Sequence, residues 1–181
     1  MAENTENYFQ ILNVPTKLQM DQGILKKNYF NLLKENKRDP ILDKGTNEAD
    51  DKKMIALIEE AYNTLKDRIS RIEHLLQIEG LDVANDNKAP RNFRDIDEQV
   101  KDLLPKFNQN PDKYRTELKE LHANVLSEFS AASIELSRLE KQWDELSKND
   151  EADDLLRKLR RKSAAFNYIR NVEQDIRQNI A

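Results

Sequence analysis

The chain has 2 histidines, and neither stands in a pattern that carries out a reaction. His74 and His122 lack a glutamate three residues before them, so the E-x-x-H ligand pair of di-iron bundles is missing. Neither belongs to an H-E-x-x-H zinc motif, and each is expected to be a surface or core-edge side chain. The 3 glycines cannot build a G-x-x-x-x-G-K-S/T or G-x-G-x-x-G phosphate loop or a G-x-S-x-G nucleophile elbow, and none of these motifs occurs. With 0 cysteines, disulfides, thiolate nucleophiles and Cys-ligated zinc or iron-sulfur centres are excluded. The carboxylate pairs Asp50-Asp51 and Asp153-Asp154 stand near expected helix starts, where the helix dipole already accounts for them. No EF-hand spacing fits around Asp43 or Asp86, because the central glycine is absent. The residue types point away from an enzyme, and no catalytic residue, metal or cofactor is expected.

What remains is binding. Lys26, Lys27, Lys34 and Lys37 form a basic strip along one expected helix, which either docks a partner electrostatically or is a solvated face. A net charge of -4 and a pI near 5.4 do not support general affinity for nucleic acid, which needs a net or clustered positive field. Few breakers, 3 Gly and 5 Pro, against 35% charged and 38% hydrophobic residues predict long, surface-rich helices rather than a many-turned β fold. No stretch approaches the ~20 apolar residues that cross a bilayer. The polar, acidic start, Met-Ala-Glu-Asn-Thr-Glu-Asn, is unlike a secretory signal or an Arg-rich transit peptide. A cytoplasmic location is expected, or the mitochondrial matrix where a presequence has been removed.

Periodicity places the elements. Tyr8-Phe9-Gln10-Ile11-Leu12-Asn13-Val14-Pro15 reads as one short helix and a turn. Asp21 is a plausible cap for a helix from Gln22 to about Asn36, with Ile24, Leu25, Tyr29, Leu32 and Leu33 on its apolar face. After a loop containing Pro40 and Gly45, a third helix runs from about Asn47 to Leu65, with Met54, Ile58, Ala61, Tyr62 and Leu65 on one face. Lys66-Asp67-Arg68 is a polar corner, beyond which Ile69, Ile72, Leu75, Leu76 and Ile78 repeat the spacing up to a stop at Gly80. Asp82 to Asn92 reads as a linker. Phe93, Ile96, Val100, Leu103 and Phe107 mark a helix that Pro105 helps to end, and Asn110 and Pro111 open the next. That longest helix carries a seam from Leu118 through Leu121, Val125, Phe129, Ala132, Leu136 and Leu139 to Trp143 and Leu146. A last helix, with Asp150 as its cap, buries Leu156, Leu159, Phe166, Ile169, Val172 and Ile176. The fold class is all-α: a helical hairpin at 5–80, a linker at 81–92 and an antiparallel three-helix bundle at 93–181.

The order of these signals resembles the HscB family, J-domain co-chaperones of iron-sulfur cluster assembly. The Tyr8-to-Pro15 phrase is similar to a J-domain opening. The tract Ala61-Tyr-Asn-Thr-Leu65, followed by Arg71, paired leucines and Gly80, resembles the exit of the family's J domain, and Leu156-Arg-Lys-Leu159-Arg resembles its last helix. The resemblance implies a J-like module that acts on a DnaK/HscA-type chaperone ATPase and a bundle that receives the iron-sulfur scaffold or another protein client. It also implies a His-Pro-Asp tripeptide after the second helix, where this chain has Arg38-Asp39-Pro40. Proline fixes the backbone where it stands, and a permanently charged guanidinium accepts no hydrogen bond as imidazole does, so weak or absent ATPase stimulation is expected. The family's apolar client patch, an L-M-x-x-L phrase with an aromatic from the last helix, aligns with Arg94, Asp95, Glu98 and Arg161. Burying those charges against an apolar partner is costly without counter-charges. Two functions follow: a divergent co-chaperone or adaptor, with Lys26, Lys27, Lys34, Lys37, Arg38, Asp39 and Pro40 toward the chaperone, or a structural subunit of a larger assembly that kept the shape.

Overall fold

The structure, a computed structural model, describes residues 6–36, 48–81, 90–146 and 151–180. Among them there is no strand. The helices are α1 (Tyr8–Ile11), α2 (Gln22–Asn36), α3 (Glu48–Lys66), α4 (Arg68–Ile78), α5 (Arg94–Gln109), α6 (Pro111–Glu145) and α7 (Glu151–Ile180), as the all-α expectation required. No helix among the described residues is long and apolar enough to cross a membrane. The chain forms two compact units, Met1–Val83 with Trp143–Leu146, and Ala84–Gln142 with Ser147–Ala181.

In the first unit the caps are local and follow from the sequence. Asn7 Oδ1 accepts from the amides of Phe9 (3.1 Å) and Gln10 (3.4 Å) to start α1. The turn after it holds Asn13 at φ 51°, a left-handed conformation asparagine tolerates, and Asn28 Nδ2 donates to the carbonyls of Leu12 and Asn13 at 2.9 and 3.0 Å. Asp21 Oδ1 takes the amides of Gly23 and Ile24 at 2.8 and 3.1 Å, the expected cap of α2. At the α3–α4 corner Asp67 accepts from the Ser70 amide at 2.9 Å. Gly80, at φ 79°, ends α4, and the Leu81 amide closes on the Leu76 carbonyl at 2.8 Å. The core gathers Phe9, Leu12, Val14, Leu25, Leu33, Ile58, Ala61 and Leu65.

Two residues assigned to apolar faces lie outside that core. Ile24 is 51% and Met54 is 44% exposed. Successive helical residues are about 100° apart, so Ile24 turns away once Leu25 faces α3. Met54 stands a turn before Ile58, where the buried cluster begins.

Two polar side chains go the other way. His74, expected at the surface or core edge, is buried: its Nε2 accepts from the Tyr8 amide at 3.0 Å, and its ring stacks on Tyr8 at 4.2 Å. The Tyr8 hydroxyl donates to Glu60 at 2.8 Å, and burial followed by the Glu60 carboxylate pushes its pKa up to about 12. Arg71 is also buried, with Nε donating to the Leu18 carbonyl at 3.0 Å and Nη1 to the Leu65 carbonyl at 2.6 Å. On the loop before α2, Asp144 accepts through both oxygens from the amides of Leu18 (2.7 Å) and Gln19 (2.8 Å).

The second unit is built on Phe93, Ile96, Leu103, Phe107, Leu118, Leu121, Val125, Ile169 and Ile176. Pro105 does not help end α5, which continues to Gln109. Proline removes one ladder hydrogen bond, and here Leu103 and Phe107, buried on either side of it, keep the helix packed across the gap. Pro111 is the first residue of α6, with the Lys113 amide on Asn110 Oδ1 at 3.3 Å, as expected. On α7 Leu155 joins Leu156 and Leu159 in burial, while Val172 is half-buried. His122 sits at the core edge, 3.2 Å from Glu173. The expected cap Asp150 and linker residues 82–89 lie outside the described residues.

Replacing Arg71 with Met is expected to destabilise the chain by about 2–4 kcal/mol, since two buried carbonyls lose a charged donor. Urea unfolding of the full chain, followed by circular dichroism, measures this. For His74, burial lowers the pKa below its ordinary value of 6.5, and the Tyr8 amide needs an unprotonated Nε2. The unfolded chain then binds a proton that the native chain does not, so stability is fully present above that value and falls as pH drops below it. An NMR titration of the His74 ring should give a midpoint below about 6.5. A midpoint at or above that value contradicts the buried, accepting imidazole.

Candidate functional site

The first candidate surface is α2. Its inward side is narrow, with only Leu25 and Leu33 buried, in a core shared with α1, the turn after it and α3. Lys26, Lys27 and Lys34 are exposed, as the sequence predicted. Between them stands Phe30, 54% exposed, three or four residues from each lysine and therefore on the same side of the helix. The Phe30 ring meets Tyr29 at 5.1 Å, and Tyr29 stacks on Tyr62 of α3 at 4.1 Å. Lys66 Nζ lies 5.7 Å from the Tyr62 ring centre. The surface is thus a basic strip with an aromatic backing rather than a purely charged face. Phe30 was missed by sequence reasoning, although its offset from the Leu25–Leu33 line was a usable signal. Lys37, Arg38, Asp39 and Pro40 lie outside the described residues.

The second surface is the start of α5. Phe93 is buried and stacks on Tyr168 of α7 at 6.2 Å. Asp97 receives the Tyr168 hydroxyl and, at 2.7 Å, Lys101 Nζ. Those contacts, Lys101 first, hold the Asp97 carboxyl below the usual carboxylate range, while burial and then Asp97 push the Tyr168 hydroxyl up. The inward side of the first turns is therefore fixed by specific bonds, and Arg94, Asp95 and Glu98 point into solvent from the same stretch. Arg161 is exposed on α7. Asp95 and Asp97 also suit the positive end of the helix dipole, which favours carboxylates there whatever the surface binds. Beside this surface, α5 and α6 enclose an open groove of about 370 Å³ edged by Asp102, Glu117 and Glu120, a feature sequence reasoning did not pick out.

Among the described residues no group of three or more His, Asp or Glu side chains is placed to hold a metal ion. Both surfaces present exposed charged side chains on helices, with Phe30 among them on α2, which suits recognition of another protein.

No family model matches the chain. Curated relatives match most of it. The Co-chaperone protein HscB of Proteus mirabilis is 29% identical over 167 residues, covering 85% of this chain and 88% of that protein. The Co-chaperone protein HscB homolog of Shewanella loihica is 25% identical over 163 residues, covering 85% and 90%. Among solved structures, human co-chaperone HscB shares the fold at a TM-score of 0.66 and 20% identity, over 97% of this chain and 83% of that one. Chaperone HscB from Vibrio cholerae does so at 0.57 and 24%, over 94% and 99%. The chain is thus similar along most of its length to curated HscB co-chaperones, and it shares the helical fold of solved HscB structures.

Proposed function

We propose that this protein is a J-type co-chaperone or adaptor that links a DnaK/HscA-type chaperone to a protein client such as the iron-sulfur scaffold. The observation that carries the proposal is the exposed basic face of α2, Lys26, Lys27 and Lys34, set on a J-like hairpin in a chain of HscB kinship. The domains we assign are 5–80 and 93–181, joined by 81–92, and the compartment is the cytoplasm. Electrostatic docking on the α2 face brings the two proteins together. Triggering hydrolysis is a separate act, and Arg38-Asp39-Pro40 offers no imidazole for it. Contact with the chaperone therefore proceeds with little or no stimulation of its ATPase.

A second function, an interaction subunit of a larger assembly, is favoured by one observation. Arg94, Asp95, Glu98 and Arg161 make the client face charged while leaving the core intact. A stable complex of fixed stoichiometry in tagged purification supports the subunit, and ATP-dependent, transient capture of the chaperone supports the co-chaperone.

Steady-state ATP hydrolysis by the chaperone from the same source is expected to rise less than about twofold with this protein. A standard J protein should be active in the same assay. Clear stimulation that disappears in Asp39→Asn overturns the disabled loop. Binding of any client through the α5 face is expected to weaken steadily with added salt, because it requires counter-charges that salt screens. Calorimetric titration from low to high ionic strength reads this, and salt-independent binding points to a different face.

A further inference from the structure

The loop between α1 and α2 is held by side chains from elsewhere in the chain. The backbone of Leu18 is gripped on both sides: its carbonyl by Arg71 at 3.0 Å and its amide by Asp144 at 2.7 Å, with the Gln19 amide on the second Asp144 oxygen at 2.8 Å. The Leu18 side chain is fully buried. An amide pair aimed at one carboxylate forms strong, charge-assisted bonds, and removing the carboxylate leaves both donors to find water. Asp144 stands 126 residues beyond Leu18, in the last turn of α6. It belongs to the four-residue segment, Trp143–Leu146, that clusters with the N-terminal unit. The body of the same helix carries Leu118, Leu121 and Val125 into the core of the second unit.

We propose that Asp144 is a latch that makes the order of the loop before α2 conditional on the integrity of α6. The carboxylate keeps its place only while the final helical turn keeps its geometry, so fraying of that turn and release of Leu18 and Gln19 are one event. The loop leads directly into Asp21, the cap of α2, and so to the helix that bears Lys26, Lys27 and Lys34. The N-terminal unit is consequently not self-sufficient: the segment Trp143–Leu146, at the end of α6, completes it.

Native-state hydrogen exchange on the full chain, read amide by amide by NMR, tests the latch with three variants. Asp144→Ala is expected to speed exchange at Leu18 and Gln19 by on the order of ten- to a hundredfold, while amides of the α3 core around Ile58 keep their protection. Gln142→Gly weakens the last turn at an exposed position without touching the loop, and is expected to accelerate the same two amides by about fivefold. Gln142→Ala should leave them unchanged. Unaltered exchange at Leu18 and Gln19 in Asp144→Ala overturns the clasp. A uniform acceleration of every core amide reduces it to global destabilisation, which also overturns it. Wild-type protection of the two amides in Gln142→Gly shows a static contact with no link to the helix, and the latch is then wrong.

Discussion

A single buried guanidinium, that of Arg71, joins three segments of the N-terminal unit. It reaches the carbonyl of Leu18 in the loop before α2 and that of Leu65 in the last turn of α3, from the first turns of α4. The Leu65 carbonyl is one of the groups a helix leaves without an internal partner, and a cation there also favours the negative end of the helix dipole. Burying a charge without such partners costs several kcal/mol, so the site is stable only when loop, helix end and arginine are all in place. That requirement makes the corner between α3 and α4 and the entry into α2 parts of one arrangement. Asp67, capping α4, and Gly80, ending it, set where Arg71 can stand.

The same economy of inward contacts explains how surfaces can change while the fold persists. On α2 only Leu25 and Leu33 are buried, and most of the circumference is free to carry lysines and an exposed Phe30. At the start of α5, Phe93, Ile96 and the Asp97 bonds to Tyr168 and Lys101 provide the packing, whereas Arg94, Asp95 and Glu98 contribute nothing to the core. These exposed positions can therefore carry charged residues without loss of structure.

Much of the fold was legible because its signals are local. A helix face repeats every three to four residues, and a cap bonds to amides two or three residues away, so Asn110, Asp21 and Gly80 could be read without any partner in view. The lysines of α2 and the charges of α5 were legible for the same reason: they lie off the apolar stripe of their own helix. Pro105 misled because a proline's local effect was weighed without the packing of Leu103 and Phe107 that carries the helix past it.

The sequence by itself determined the helices, most of their ends, the all-α class and the main apolar stripe of each helix, since each depends on residues within a turn or two. Only the tertiary structure decided that Arg71 and His74 are buried, that Phe30 stands in the open, and that Asp144 closes on Leu18 and Gln19. A charged or polar residue on a helix is indistinguishable from a solvated one until the backbone group it meets arrives from another element. For His74 that group is 66 residues away, for Arg71 it is 53, and for Asp144 it is 126, distances over which periodicity carries no information.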